Sequence, residues 1–133
     1  MFTFRNKEYQ YLIWDWRSTL WDPFNHQLYP WVKDFFEKNK DLKHILISFS
    51  IDYEKRYGQI MQEGLAKYFT YISISLKRKR EQFEEVFDKG IAIPEKSLII
   101  GDNTNDEIKV AKDLGIDSVT IGEFLKEISV AKK

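Results

Sequence analysis

The sequence predicts an α/β fold: a parallel sheet of about five strands with helices on both faces. Short apolar runs alternate along the chain with longer segments whose apolar residues recur at helical spacing. Strands that alternate with helices form βαβ units, which place the strands parallel and cover the sheet on both sides. In addition, two of the apolar runs end on an acidic residue, Asp15 and Asp102, as expected where strand ends line a ligand crevice.

The strands are predicted where aliphatic and aromatic residues cluster without helical spacing, at 11–15, 44–48, 71–74, 97–101 and 118–121. Residues 1–10 alternate loosely between apolar and polar and are expected to lead into the first strand. Between 19 and 29, Pro23 and Asn25 lie among aromatic residues, which predicts a small flap after strand one.

The helices are predicted between these strands, at 30–40, 52–67, 79–89, 105–114 and 124–131. Pro30 suits the first turn of a helix, and Asp52 is a favourable N-cap. Gly90 and Gly115 are placed to end the third and fourth helices.

Composition limits the class of protein. A chain of 133 residues with 43% apolar residues is predicted to be a single domain, 1–133, with one core. The 21 basic and 21 acidic residues balance, so nucleic acid is not an expected partner. No cysteine is present, which excludes thiolate metal sites. No apolar run approaches the roughly 20 residues of a membrane span, and no signal-peptide core is seen, so we expect a cytoplasmic protein without membrane contact.

Three acids are predicted to converge on one crevice. Asp15 and Asp102 end neighbouring strands, and Asp106 follows one helical turn after Asp102. Carboxylates that lie together repel one another, and they call for a cation. All-oxygen ligands suit a hard ion, so the predicted cofactor is Mg²⁺.

The order of motifs resembles the haloacid dehalogenase (HAD) superfamily of aspartate-nucleophile phosphatases. Segment 15–22, DWRSTLWD, is similar to its first motif, D-x-D-G-T-L-x-D, and Ser48 follows an apolar strand as the second-motif hydroxyl does. Segment 64–83 resembles the region of the third-motif lysine, here Lys77, and segment 101–106, GDNTND, resembles the fourth motif, G-D-x-x-x-D. The resemblance covers about residues 9–122 and implies a Rossmann-like fold.

The resemblance implies a role for each motif residue. Asp15 would attack a phosphoryl group and form an aspartyl-phosphate, while Ser48 and Lys77 would bind the phosphoryl oxygens and Thr19 would orient the nucleophile or its loop. The metal ligands implied are Asp15, the main-chain carbonyl of Arg17, Asp102 and Asp106. Ser50 and Lys79 are the rivals of Ser48 and Lys77 for the same roles.

Arg17 departs from the family pattern, which has a second acid at this position. A guanidinium does not release its proton near neutral pH, so Arg17 cannot protonate a leaving group. General acid–base help contributes roughly 10²–10⁴-fold, so we expect a slow Mg²⁺-dependent phosphohydrolase or phosphotransferase. Arg17 could also bind phosphate or pair with Asp15. The alternative is an inactive HAD-like domain that binds a phosphorylated ligand or a protein partner.

The intervals between the motifs leave no room for a cap domain. One predicted helix and its connections fill the interval from Asp15 to Ser48, and another fills that from Ser48 to Lys77. The resulting open site would accept a phosphorylated small molecule or macromolecule, or it would be covered in a homo-oligomer. A receiver-type phosphoacceptor domain also gathers acids and a lysine, but Asp102 comes late in the chain for that fold.

Overall fold

A computed structural model describes residues 1–131, and the side chains of residues 1–129. The strands, in chain order, are β1 (Phe2–Phe4), β2 (Lys7–Tyr9), β3 (Tyr11–Asp15), β4 (Trp21–Asp22), β5 (Gln27–Leu28), β6 (Lys43–Phe49), β7 (Phe69–Ser75), β8 (Ser97–Gly101) and β9 (Asp117–Thr120). The helices are α1 (Val32–Lys38), α2 (Tyr53–Gln62), α3 (Lys79–Asp88), α4 (Glu107–Leu114) and α5 (Ile121–Ala131).

Five strands form a parallel sheet in the order β7-β6-β3-β8-β9. The chain begins the sheet in the middle, at β3, adds β6 and β7 on one side, and then crosses to add β8 and β9 on the other. The strand order therefore reverses between β3 and β8, and ligands bind at such a point outside the carboxyl ends of the strands. The predicted fold is confirmed. The receiver-type alternative is wrong, because that fold has the order 2-1-3-4-5 and these five strands have 3-2-1-4-5.

Helices cover both faces of the sheet, which explains why its three central strands, β3, β6 and β8, are continuous apolar runs. Along β3, Leu12 and Trp14 face one layer while Ile13 faces the other, and all three are completely buried. The first layer contains buried residues of α1, α2 and α5, and the second contains those of α3 and α4.

Two small antiparallel hairpins accompany the sheet. Strands β1 and β2 pair within the first ten residues, and β4 and β5 form the flap predicted after strand one. Within residues 1–131, the connection that follows β3 holds this flap and α1, and the connection that follows β6 holds α2 and a short 3₁₀ helix (Ala66–Tyr68), so neither contains a cap domain. None of the helices of this part of the chain is long and apolar enough to cross a membrane.

Candidate active site

A polar cavity of about 290 Å³ opens at the carboxyl ends of β3, β6 and β8. Its walls come from the ends of these strands and from the first turns of α2, α3 and α4. The residues that line it are Asp15, Arg17, Ser18, Ser48, Phe49, Arg56, Lys79, Asp102, Asn103, Asp106 and Glu107. Four acidic and three basic side chains therefore line one small cavity.

Asp15 lies at the centre of this edge, as the last residue of the middle strand. Its carboxylate accepts a hydrogen bond of 2.7 Å from the Lys79 ammonium group, which also donates to the main-chain oxygen of Ile47 at 3.1 Å. The Lys79 and Asp15 side chains are only 7% and 14% exposed. Burial raises the pKa of Asp15 above its ordinary value and the nearby Asp102 adds to this, whereas Lys79 opposes both. A bound cation would also lower this pKa.

Asp15, Asp102 and Glu107 form an acidic cluster. Each of them offers a carboxylate oxygen, and these oxygens lie within 4.8 Å of one another. Glu107 is buried, and its carboxylate accepts hydrogen bonds of 2.9 Å from the main-chain amides of Asp102 and Asn103. Burial raises the pKa of Glu107 to about 7, and the charge of Asp15 acts in the same direction.

Glu107 reaches the cluster because Gly101 leaves room for it. A Cβ atom at position 101 would collide with the Glu107 side chain, so glycine is needed here for a close approach rather than for an unusual backbone angle. The same glycine ends β8 and leads directly to Asp102.

Asp106, predicted as a metal ligand, is not part of the acidic cluster. Helix α4 begins at Glu107, which makes Asp106 the residue before its first turn, and the Asp106 side chain forms no capping hydrogen bond. Asp106 does line the cavity. Glu107, the first residue of α4, lies with Asp15 and Asp102 instead and is a further candidate ligand, while Asp106 stays a predicted ligand at the edge of the cavity.

Lys77 is likewise not brought to the site. Its side chain is 51% exposed and forms an ion pair with Glu85 on the outer side of α3. Lys79, the rival for the role, is the first residue of α3 and contacts Asp15. Lys79 rather than Lys77 is therefore placed for the predicted catalytic and phosphate-binding role, because the loop before the helix carries Lys77 away from the cavity.

Ser48, the predicted second-motif hydroxyl residue, lines the cavity, whereas its rival Ser50 does not. Ser48 follows Ile47, which pairs with Asp15 across the sheet, and it is completely buried. Its main-chain oxygen accepts a hydrogen bond of 3.1 Å from Gln82, and its hydroxyl oxygen accepts one from Arg56. Ser50 is occupied elsewhere, because its hydroxyl interacts with the main chain of Asp52 before α2.

The loop after Asp15 carries the remaining predicted residues. Arg17 is exposed and lines the cavity, and within residues 1–131 no salt bridge engages its guanidinium. Ser18 has a φ of 62°, in the left-handed region that favours glycine, and its amide donates to Trp21 at 2.7 Å. Thr19 is completely buried, and its hydroxyl has no hydrogen-bond partner in the described part of the chain. Thr19 therefore lies within the loop rather than in the cavity.

Arg56 and Glu107 were not predicted as site residues. Arg56 lies four residues before Ile60, the buried residue of α2, and this helical spacing is the signal that places it on the sheet-facing side. Burial lowers the pKa of Arg56 below its ordinary value, Asp15 opposes this, and the charge of Arg17 adds to it. Glu107 carries no comparable signal, because the sequence does not distinguish two adjacent acids before the helix start is known.

The fold is that of HAD-type hydrolases. No protein-family model matches the chain, and neither does a curated protein sequence. Among solved structures, a hydrolase from Streptococcus pneumoniae TIGR4 is 16% identical, with a TM-score of 0.72, over 92% of this chain and 100% of that one. The L-2-haloacid dehalogenase from Xanthobacter autotrophicus is 12% identical, with a TM-score of 0.69, over 83% of this chain and 76% of that one.

A third similar structure contains a metal. The HAD-hydrolase YfnB from Bacillus subtilis, solved with bound magnesium, is 23% identical with a TM-score of 0.62. The match covers 69% of this chain and 43% of YfnB. At such identities the likeness concerns the fold, and the chemistry has to be argued from the cavity itself.

Proposed function

We propose that this protein is a Mg²⁺-dependent phosphohydrolase or phosphotransferase in which Asp15 accepts the phosphoryl group. One observation carries the proposal: the Asp15 carboxylate contacts the Lys79 ammonium group at 2.7 Å and also lies within 4.8 Å of carboxylate oxygens of Asp102 and Glu107. The Lys79 ammonium group orients the Asp15 carboxylate, and Asp102 and Glu107 would be two further ligands of a metal ion bound beside it.

The residues of the acidic cluster fit a hard divalent cation. Three carboxylates that can each supply one oxygen within 4.8 Å of the others form an all-oxygen donor set, which suits Mg²⁺ better than softer metals. Asp15, Asp102 and Glu107 would hold the ion, and the carbonyl of Arg17 is a fourth candidate ligand. When bound, Mg²⁺ supplies positive charge that offsets the repulsion between a carboxylate nucleophile and a phosphate dianion.

The remaining cavity residues would bind the phosphoryl group and orient the Asp15 carboxylate. Lys79 fixes the Asp15 carboxylate and adds positive charge beside the phosphoryl group. Arg56 donates to the Ser48 hydroxyl oxygen, which leaves the hydroxyl proton of Ser48 free to donate to a phosphoryl oxygen. Arg17 and Arg56 add two guanidinium groups to the same cavity, and each is suited to an anionic oxygen.

Arg17 also favours a second candidate function. Because it stands where the proton-donating acid would be, transfer to water is slow, and the chain could instead retain a phosphorylated ligand or protein without turnover. The two candidates share the metal and the phosphate contacts, and they differ in whether phosphate is released.

The test is release of inorganic phosphate from acetyl phosphate, whose leaving group needs no proton. We expect Mg²⁺-dependent hydrolysis by the wild type and its loss in Asp15→Asn. Asp88→Asn, at the exposed end of α3, is the matched control and should retain the wild-type rate. Hydrolysis that persists in Asp15→Asn contradicts the proposal. Mg²⁺-dependent binding of phosphate by calorimetry without any hydrolysis favours the second candidate.

A further inference from the structure

The lining of the active-site cavity includes one apolar side chain, and this side chain is open to solvent. Phe49, the last residue of β6, lines the cavity directly and is 54% exposed. Ile51 in the following loop is 85% exposed, and Leu76 in the loop after β7 is 59% exposed. A hydrogen bond of 3.1 Å from the Ser50 amide to the carbonyl of Ser75 joins the start of the first loop to the end of β7. Phe49 therefore presents an exposed apolar surface at one edge of an otherwise charged site, where a ligand can cover it.

A second feature of the cavity is the cationic side chain of Arg17, at the position where a proton-donating acid would be expected. Arg17 follows Asp15 by two residues and cannot give up a proton near neutral pH. A guanidinium can still stabilise an oxygen that leaves as an anion, through charge-assisted hydrogen bonds. Phenols, with a pKa of about 10, leave as anions far more readily than aliphatic alcohols do.

From these two features we infer that the substrate is an aryl phosphate, the phosphate ester of a phenol. This rests on the proposed function. The phosphoryl group binds at Asp15, the aromatic ring lies against Phe49, and the bridging oxygen faces Arg17. Aromatic contact with Phe49 and anion stabilisation by Arg17 then select the same leaving group by independent means.

The first step of this reaction needs no proton donor. An Asp15 oxygen forms a bond to phosphorus, and the bond between phosphorus and the phenolic oxygen breaks with its electron pair on that oxygen. The phenolate departs, and water then cleaves the aspartyl-phosphate to regenerate the Asp15 carboxylate and release inorganic phosphate. The proton that this water gives up reaches the phenolate through solvent.

The first experiment compares leaving groups on the purified full chain with Mg²⁺. The substrates are 4-nitrophenyl phosphate, phenyl phosphate and methyl phosphate, with acetyl phosphate as a good leaving group that lacks a ring. We expect kcat/KM for the aryl esters to exceed that for methyl phosphate by at least on the order of 10²-fold. In Arg17→Asp, which introduces a proton donor, this ratio should shrink.

The second experiment tests the contact between Phe49 and the aromatic ring of the substrate. Phe49→Ala should lower kcat/KM for the aryl esters by on the order of five-fold more than it lowers kcat/KM for acetyl phosphate, because only the aryl esters present a ring. Met61→Ala on α2 is the control, since Met61 is equally exposed at 54% and does not line the cavity. Met61→Ala should leave kcat/KM unchanged for the aryl esters and for acetyl phosphate.

The outcomes separate this inference from the proposed function. Asp15-dependent hydrolysis of acetyl phosphate without a preference for aryl over methyl esters, or an equal effect of Phe49→Ala on acetyl phosphate, overturns the aryl assignment alone. Hydrolysis of every substrate that persists in Asp15→Asn overturns the proposed function. A phosphotyrosine peptide with apolar flanks, compared with free phosphotyrosine, distinguishes the source: a higher kcat/KM for the peptide indicates a protein substrate, and equal values indicate a small aryl phosphate.

Discussion

Replacing Lys79 by methionine removes the ammonium group that contacts Asp15 in the floor of the cavity. The pair is short, at 2.7 Å, and both side chains are nearly buried. Removing one partner of a buried pair leaves an uncompensated charge and costs about 3–5 kcal/mol. The Asp102 and Glu107 carboxylates repel the remaining charge, so we expect Lys79→Met to lower the free energy of unfolding by about 3 kcal/mol or more in EDTA.

Mg²⁺ should restore much of this stability, because it supplies positive charge to the same carboxylates. At about 100 times its dissociation constant, a ligand that binds only the folded state stabilises it by about 2.7 kcal/mol. The assay is urea unfolding followed by tryptophan fluorescence, with EDTA and with Mg²⁺. Lys77→Met is the matched control, and because Lys77 is 51% exposed its stability should match the wild type in both conditions.

Two results would refute this reasoning. Equal destabilisation of Lys77→Met and Lys79→Met would mean that Lys79 does not compensate Asp15. A loss of stability in Lys79→Met that Mg²⁺ leaves unchanged would mean that the metal does not bind at these carboxylates.

Three further predictions concern the core and the metal ligands. Burial lowers the pKa of His44 from 6.5 to about 4, so between these pH values the unfolded chain binds a proton that the folded chain does not. The free energy of unfolding should therefore fall by about 3 kcal/mol as the pH is lowered from 6.5 to 4. Urea unfolding of His44→Gln should show a weaker dependence of this free energy on pH, and an unchanged dependence would contradict the role given to His44. Glu107→Gln should weaken Mg²⁺ binding in calorimetry by on the order of ten-fold or more and Asp106→Asn by less, and the reverse order would restore Asp106 as the ligand. Gly101→Ala should also weaken Mg²⁺ binding, because its Cβ displaces the Glu107 side chain, and unchanged affinity would show that this close approach is unnecessary.

The fold could be predicted because its signals are local and repeated. The three central strands of the main sheet, β3, β6 and β8, are apolar runs buried on both faces, and α1, α3 and α4 each have an apolar stripe. The positions of Asp15 and Asp102 follow from the same reasoning, since acids at the ends of parallel strands lie at one edge whatever the details of packing.

The site residues that the sequence alone does not place depend on where a helix begins. Lys77 and Lys79 lie two residues apart in one basic run, and only the start of α3 at Lys79 decides which reaches Asp15. Asp106 and Glu107 are adjacent, and the start of α4 selects Glu107 in the same way. Helix boundaries are the least determined feature of a single sequence, and a shift of one residue turns a side chain by about 100°.

Crystals grown with Mg²⁺ and beryllium fluoride, a mimic of the phosphoryl group, test the central claim most directly. The account predicts one Mg²⁺ at about 2.1 Å from carboxylate oxygens of Asp15, Asp102 and Glu107, with beryllium bonded to the other Asp15 oxygen. Beryllium fluoride bound at a different residue, or Mg²⁺ held without Asp15, would contradict it.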